Sequence, residues 1–334
     1  MSTTEPVKNV AIVGASGRIG GAFAQALVRG GKHIVTALTR KGSNGEIPEG
    51  VKKVEIDYDD EDSLVQALTG QEFLIITLGV TAPASLHGKI AAAAGKAKVP
   101  YVMPNFYGYP ISNHSDKDAY LKTTKDRLAE ITDNGFSTEI HISCGFWYEW
   151  SLALGNQWFG IDIARRKATF FDDGKRPITV STWDQCGNAI AALLSLPQRG
   201  ASPSLADFAG PDRGVNIESW HVSQRDMLDS VHRVLGTTDA GWEIAYEPVE
   251  KRIRDGQEEL SKGDHRGFAK MLYGGIFDAS NPVSNYVGEA NAVLGLPKED
   301  LDQATKRAVD MALGGYNPLG DNVKLPHLQG KKIE

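Results

Sequence analysis

Three glycines and a pair of cations carry the first chemical signal in this 334-residue chain. Gly14, Gly17 and Gly20 are spaced G-x-x-G-x-x-G, and Thr39, Arg40 and Lys41 follow further on. Glycine removes Cβ atoms where a chain must turn sharply and let a pyrophosphate approach the backbone. A helix beginning at that turn would aim its unpaired N–H groups and the positive end of its dipole at the phosphates. The set Gly14, Ser16, Gly17, Arg18, Ile19 and Gly20 therefore reads as a dinucleotide cradle, although Ser16 stands where the G-x-G-x-x-G fingerprint has its second glycine. No acid occupies residues 38–43, where an NAD-preferring fold places Asp or Glu on the ribose 2′-hydroxyl. Arg40 instead offers a planar, permanently charged donor fork, with Thr39, Lys41 and Ser43 beside it. That chemistry suits a 2′-phosphate, and so NADP(H) over NAD. The plainer alternatives are a tight turn without ligand and a solvated pair of surface cations.

The surrounding elements are those such a cradle needs. Val10 to Val13 is the uninterrupted apolar run of a buried parallel strand. Ile19, Phe23, Ala26 and Leu27 then fall on one face of a helix that Gly30 and Gly31 end. Further strands are predicted at Ile34–Leu38 and Val51–Ile56, within Glu72–Gly79, and at Pro100–Met103 and Thr138–Ser143. Helices are predicted at Asp62–Leu68, from Pro83 through Ala97, and at Asp118–Asp133. This alternation predicts an α/β fold, a Rossmann-type doubly wound parallel sheet. Ligands bind such sheets at the carboxyl ends of the strands. Asp57, Tyr58, Thr77, Leu78, Gly79, Pro104, Asn105 and Phe106 thus join the glycine loop and Arg40 as expected cofactor-binding residues.

Beyond residue 150 the rhythm weakens, with a strand at Lys167–Phe171 and helices at Thr182–Leu194, Val222–Leu235, Gly263–Gly274 and Leu301–Leu313. The expected division is a nucleotide-binding domain over 1–152 and a smaller, interleaved substrate-binding region over 153–334, partly packed back on the sheet. The stretch from Asn317 reads as a loosely held tail.

Composition excludes several classes. Net charge is −6 and the longest cationic cluster is Arg165-Arg166-Lys167, so no nucleic-acid partner is expected. No apolar run is long enough for a bilayer, and residues 1–9 lack the apolar region of a signal peptide. The two cysteines, Cys144 and Cys186, form no spaced set for zinc or a disulfide framework. A cytoplasmic protein is expected, and a homodimer is compatible with it. No His/Asp/Glu grouping has metal-ligand spacing, and no G-x-S-x-G elbow points to a hydrolase. His87 and His141 read as structural histidines.

The chain resembles the NmrA-like and isoflavone-reductase-like branch of the atypical short-chain dehydrogenases, and is most similar to a fungal isoflavone-reductase-like group. The resemblance lies in the glycine loop, Thr39-Arg40, Pro104-Asn105-Phe106-Tyr107-Gly108, Phe171 to Lys175 leading into Ser181-Thr182-Trp183, and Val222 to Asp229. It implies NADPH-dependent reduction of a small aromatic substrate, a carbonyl, quinone or enone of phenylpropanoid type. For other members it implies a non-catalytic, NADP(H)-sensing regulatory role. It also implies a catalytic lysine early in the long helix, for which Lys122 and Lys125 compete. Lys125 is preferred, because Leu128 follows three positions later and Ile131 continues that face. Its ammonium would order the nicotinamide ribose or hand over a proton. The usual Tyr-x-x-x-Lys is absent, and Asn105-Phe106-Tyr107 replaces the reductases' Ser-Glu-Phe. Tyr107 and Tyr109 become candidates as proton donors or, preferably, pocket walls. Phe146, Trp147, Tyr148 and Trp150 are expected to wall a flat aromatic substrate, with ordinary core packing as the alternative.

Overall fold

Val10 to Val13 are buried at every position and form the middle of a six-stranded sheet. In the computed structural model, which describes residues 4–79, 82–113, 119–211, 213–264, 266–284, 286–316 and 318, the alternating strands and helices fold in their expected order. β1 (Asn9–Val13), α1 (Arg18–Gly30), β2 (Ile34–Arg40) and β3 (Lys52–Ile56) come first. They are followed by α2 (Glu61–Leu68), β4 (Phe73–Ile76), α3 (Leu86–Lys96), β5 (Tyr101–Met103), α4 (Ala119–Thr132) and β6 (Thr138–Glu139). The strands run parallel in the order β3-β2-β1-β4-β5-β6. The order reverses between β1 and β4, and doubly wound sheets bind ligands where it does so. Val13 lies level with Leu38 on one side and Ile76 on the other, so the residues after these three strands open on the same edge.

Burial explains the elements. Asp60 caps α2 by accepting from the N–H groups of Asp62 and Ser63, and Glu61 and Asp62 complement the helix dipole. Leu64 and Leu68 of α2, Ile90 of α3 and Ile131 of α4 then close over Leu38, Leu74 and Ile76 of the sheet. Fully burying a side chain of this size contributes about 1.5–3 kcal/mol.

The remaining elements are β7 (His141–Ser143), β8 (Phe146–Trp147), α5 (Tyr148–Ala153), β9 (Ile161–Asp162), β10 (Lys167–Phe171), β11 (Pro177–Ser181) and α6 (Trp183–Leu194). After them come β12 (Gly214–Asn216), β13 (Trp220–Ser223), α7 (Gln224–Leu235), β14 (Glu243–Glu247), α8 (Val249–Ser261), α9 (Arg266–Phe277), α10 (Ala290–Val293) and α11 (Leu301–Leu313). The chain divides into two units. One holds the chain through Cys144 together with Trp183–Ile217 and Val287–Pro297. The other holds Gly145–Thr182, Glu218–Tyr286 and the chain from Lys298.

In the first unit α6 packs against α1, and β12 pairs in parallel with β7. The second unit contains the three-stranded sheets β14-β10-β9 and β13-β11-β8, with α11 lying on α5 and α7. The chain thus returns to the first unit twice, within the 153–334 region that the sequence reads as interleaved and partly packed back on the sheet. The single strand expected over Thr138–Ser143 is two, because β6 pairs with β5 while β7 pairs with β12. The stretch from residue 317, apart from residue 318, lies outside the described residues. Among the described residues no helix is long and apolar enough to cross a membrane, and no cluster of His, Cys, Asp and Glu could hold a metal.

Candidate functional site

The glycine loop is shaped by Thr77. The N–H and the hydroxyl of Thr77 both donate to the Val13 carbonyl, at 2.9 and 2.7 Å, which fixes the end of β4 to the end of β1. Gly14 has φ +85°, and a Cβ there would stand 2.1 Å from the Thr77 carbonyl oxygen. A Cβ on Gly20 would stand 2.3 Å from the Gly14 carbonyl oxygen. The first and third glycines therefore seat the head of α1 directly on the two strand ends. Gly17 differs: it closes the turn through its N–H to the Gly14 carbonyl at 2.9 Å, and it is exposed together with Ser16 and Arg18. Ile19 turns its side chain into the core. No side chain caps α1, and its first turn holds no acid. This outward rim at a positive dipole end can receive an anion.

At the end of β2, Thr39 is buried and its hydroxyl donates to the Val54 carbonyl at 3.5 Å, whereas Arg40 and Lys41 are exposed. The Ser43 N–H donates to the Arg40 carbonyl at 3.0 Å, turning the loop back toward the glycines. Gly45 comes so close to Ser16 that a Cβ would meet its hydroxyl at 2.6 Å. Asp57 accepts from the Asp59 N–H at 2.9 Å, and half-buried Tyr58 follows it. Burial pushes the Tyr58 hydroxyl's pKa up, and the Arg40 charge partly offsets this.

A polar network, not anticipated from the sequence, braces the ends of β4 and β5. The Asn105 side chain accepts from the Leu78 N–H and donates to the Leu78 carbonyl, each at 3.1 Å. The Asn105 N–H donates to His87 Nε2 at 3.3 Å, and Arg127 donates to the Asn105 carbonyl. His87 Nδ1 meets Glu130 Oε2 at 2.6 Å. The cue lay in His87, Asn105, Arg127 and Glu130, four polar residues with no shared periodicity, and only the fold brings them together. Pro104 and Phe106 are buried beside this network, with the Phe106 ring edge-on to His141. Gly79 is exposed, with open space where a Cβ would be.

The residues proposed for proton chemistry stand differently from expectation. Among the described side chains of α4, the buried ones are Thr124, Leu128 and Ile131, spaced i, i+4 and i+7. Lys125 lies beside that face and is exposed, so it does not share the surface of Leu128 and Ile131. Lys122 is exposed and pairs with Asp126 at 2.9 Å. α4 carries Arg127 to the strand ends, and burial pulls its pKa down. The Tyr107 hydroxyl donates to the Ile76 carbonyl at 2.7 Å, and its ring lies against Phe23. Burial raises its pKa well above the ordinary phenol value, so the geometry favours a wall over a proton donor. Tyr109 is buried in the core.

In the second unit, Tyr148 is 0% exposed and its hydroxyl shares a 2.7 Å hydrogen bond with Thr305, which corrects its assignment to a substrate wall. Phe146, Trp147 and Trp150 are half-buried. Phe146 stacks on Tyr273 at 3.9 Å, while Trp150 meets Trp158 edge-on at 4.4 Å. Packing already accounts for much of this aromatic run.

Residues 6–123 match the model of the NmrA-like family. Solved structures of the same fold include an isoflavone reductase, 18% identical, with a TM-score of 0.69 over 90% of this chain and 99% of that one. AtPrR2, solved with NADP+ and (+)-pinoresinol, is 16% identical, with a TM-score of 0.71 over 90% and 98%. The NADPH-dependent quinone oxidoreductase QOR2 of Escherichia coli, complexed with NADPH, is 16% identical, with a TM-score of 0.64 over 89% and 98%. A sequence search of curated proteins finds no match. Residues 6–123 are therefore similar to the NmrA-like family, and the fold is one that the chain shares with the solved isoflavone reductase.

Proposed function

We propose that this chain binds NADP(H) at the carboxyl ends of β1, β2 and β4 and acts as a reductase of small aromatic molecules. One observation carries the reading. An uncapped, acid-free helix start lies beside a strand that ends in Arg40 and Lys41, with no carboxylate in residues 38–43. Ser16, Gly17 and Arg18 would meet the pyrophosphate, since they form the exposed rim that Gly14 and Gly20 leave in front of α1. Arg40, Lys41 and Ser43 would meet the 2′-phosphate through charge-assisted hydrogen bonds. Asp57 and Tyr58 would flank the adenosine, and Leu78, Gly79 and the Pro104–Phe106 segment the nicotinamide half. When bound, the reduced nicotinamide supplies a hydride. Lys125, exposed on α4, is assigned to order the ribose or deliver the proton.

An aromatic carbonyl, quinone or enone is the proposed substrate class. The half-buried Phe146, Trp147 and Trp150 support it, as do the quinone oxidoreductase and the pinoresinol-bound protein that share the fold. The test is fluorescence titration with NADPH against NADH, followed by NADPH oxidation across quinones and enones. Binding of NADH as tight as that of NADPH would overturn the cofactor assignment.

A second reading is a regulatory protein that binds NADP(H) without turnover. It is favoured by the engagement of Tyr107 with Ile76 and of Lys122 with Asp126, which occupies two groups that could have moved protons. Tight NADPH binding with no oxidation across the whole panel would decide for it.

A further inference from the structure

His87 is buried at 3% exposure among charged neighbours, and the dinucleotide reading gives it no task. A backbone N–H only donates, so the 3.3 Å contact from the Asn105 N–H makes Nε2 the lone-pair nitrogen of the ring. The proton then sits on Nδ1 and is donated to Glu130 Oε2 at 2.6 Å. Asn105 is tied on every polar atom: its N–H to His87, its carbonyl to Arg127, and its side-chain amide to both backbone groups of Leu78. Leu78 immediately follows Thr77, which holds the glycine loop in place. A chain of hydrogen bonds thus runs from the His87 ring to the wall of the crevice. The residue after His87 is a glycine, and a Cβ there would stand 2.9 Å from Glu130 Oε1, so its absence leaves the carboxylate room to approach.

We propose that His87 is a positioning residue of the dinucleotide site: in its neutral form it fixes Asn105, and through Asn105 the Leu78–Gly79 segment, in the arrangement that binds NADP(H). The assignment rests on the NADP(H) reading of the crevice. Protonation of His87 would set a second donor against the Asn105 N–H and remove that bond. Among the described residues, the charged groups facing the ring are Glu130 and Arg127, both from α4; on the β5 side it meets the Asn105 backbone. Glu130 favours the charged ring, while burial and the Arg127 charge oppose it, and the balance lies below the ordinary histidine value. Neutral His87 is therefore the form at neutral pH.

The test compares H87Q and H87L with the wild type. Glutamine can accept from the Asn105 N–H and donate to Glu130, and it does not titrate; leucine does neither. At about pH 8, where histidine is neutral, H87L should bind NADPH about fivefold more weakly, the worth of one hydrogen bond, and H87Q should restore the affinity. Acidification weakens binding in every variant, because a 2′-phosphate protonates near pH ~6. As further acidification protonates the His87 ring, the wild type should nonetheless lose up to about fivefold more than H87Q. A readout without cofactor accompanies this: at the lower pH the Asn105 amide should exchange faster in the wild type than in H87Q, and equally at the higher one.

Parallel pH profiles of wild type and H87Q in a protein that binds NADPH would overturn the role of His87 alone. Failure of the wild type to bind NADPH at the higher pH would overturn the dinucleotide reading, and this assignment with it. Should H87L fail to fold, the comparison of wild type with H87Q still decides.

Discussion

Thr77 closes over Gly14 so tightly that a Cβ on the glycine would lie 2.1 Å from the Thr77 carbonyl oxygen and 2.5 Å from its hydroxyl. The neighbour is backbone on a buried strand end and cannot step aside, and Gly14 has a positive φ as well. Gly14→Ala should therefore cost stability, by about 2–4 kcal/mol, through strain at a special backbone position. Gly17→Ala is the contrast. Gly17 has φ −79°, and the nearest atom to its Cβ would be the Gly14 carbonyl oxygen at 3.1 Å. It should fold with near-normal stability and lose NADPH affinity, because the added methyl stands on the exposed rim. Urea unfolding beside a fluorescence titration separates the two, and equal stability losses would contradict the distinction.

Arg40 is exposed, so its replacement should leave stability within about 0.5 kcal/mol of the wild type. Arg40→Asp should weaken NADPH binding by about 10–100-fold and leave NADH binding unchanged or improved, since a carboxylate repels a 2′-phosphate and accepts from a 2′-hydroxyl. Kd values for both nucleotides give the answer. A uniform loss for NADPH and NADH would place the 2′-phosphate elsewhere.

Tyr107 and Lys125 make opposite claims. Tyr107→Phe removes a hydroxyl given to the Ile76 carbonyl and should cost about 1–2 kcal/mol of stability with little change in kcat. Lys125→Ala, at an exposed position, should lower kcat for quinone reduction by about 10²-fold or more and leave stability alone. A large kcat loss in Tyr107→Phe with none in Lys125→Ala would return the proton chemistry to the tyrosine.

His33 and His87 both have pKa values below the ordinary histidine range in the folded chain, chiefly through burial. The unfolded chain therefore takes up protons first on acidification. The stability these neutral rings contribute is complete above about pH 6.5 and is lost as pH falls toward their folded values. The urea midpoint should drop between about pH 7 and pH 5.5, and His87→Gln should reduce that drop. A midpoint that rises over the same window would contradict the sign.

The six-stranded sheet was legible because its signals are local. An apolar run, glycines at fixed spacing and a helical stripe report on one element each, and their alternation predicts a parallel sheet, whose order β3-β2-β1-β4-β5-β6 only the structure gives. The network around Asn105 was not legible, since His87, Asn105, Arg127 and Glu130 meet only through the packing of α3, β5 and α4. The face of α4 was misjudged for a related reason. Thr124, a polar residue, is buried with Leu128 and Ile131, and counting apolar positions from Lys125 missed it.

The helix α8 escaped sequence reading because its buried positions include Arg252 and Gly256 beside Val249, which leaves little apolar periodicity. Its partner in the second unit is α9, and the two helices meet at glycines. A Cβ on Gly256 would stand 2.7 Å from the Gly267 carbonyl oxygen, and one on Gly267 would stand 2.2 Å from that of Gly256. Each obstacle is helix backbone, so the helices must move apart to admit a side chain. Arg252 is held beside this contact, with its guanidinium 4.2 Å from the centre of the Phe171 ring and 3.0 Å from Glu247. Separating the helices would also disturb the packing of the buried Arg252 guanidinium against Phe171 and the half-buried Glu247. Gly267→Val should therefore destabilise the chain by several kcal/mol, whereas Gly263→Ala, past the end of α8 with open space around it, should cost about 1 kcal/mol for its positive φ. Thermal unfolding of the two variants tests the contrast, and a Gly267→Val protein as stable as Gly263→Ala would mean that the α8–α9 contact is not the close one described.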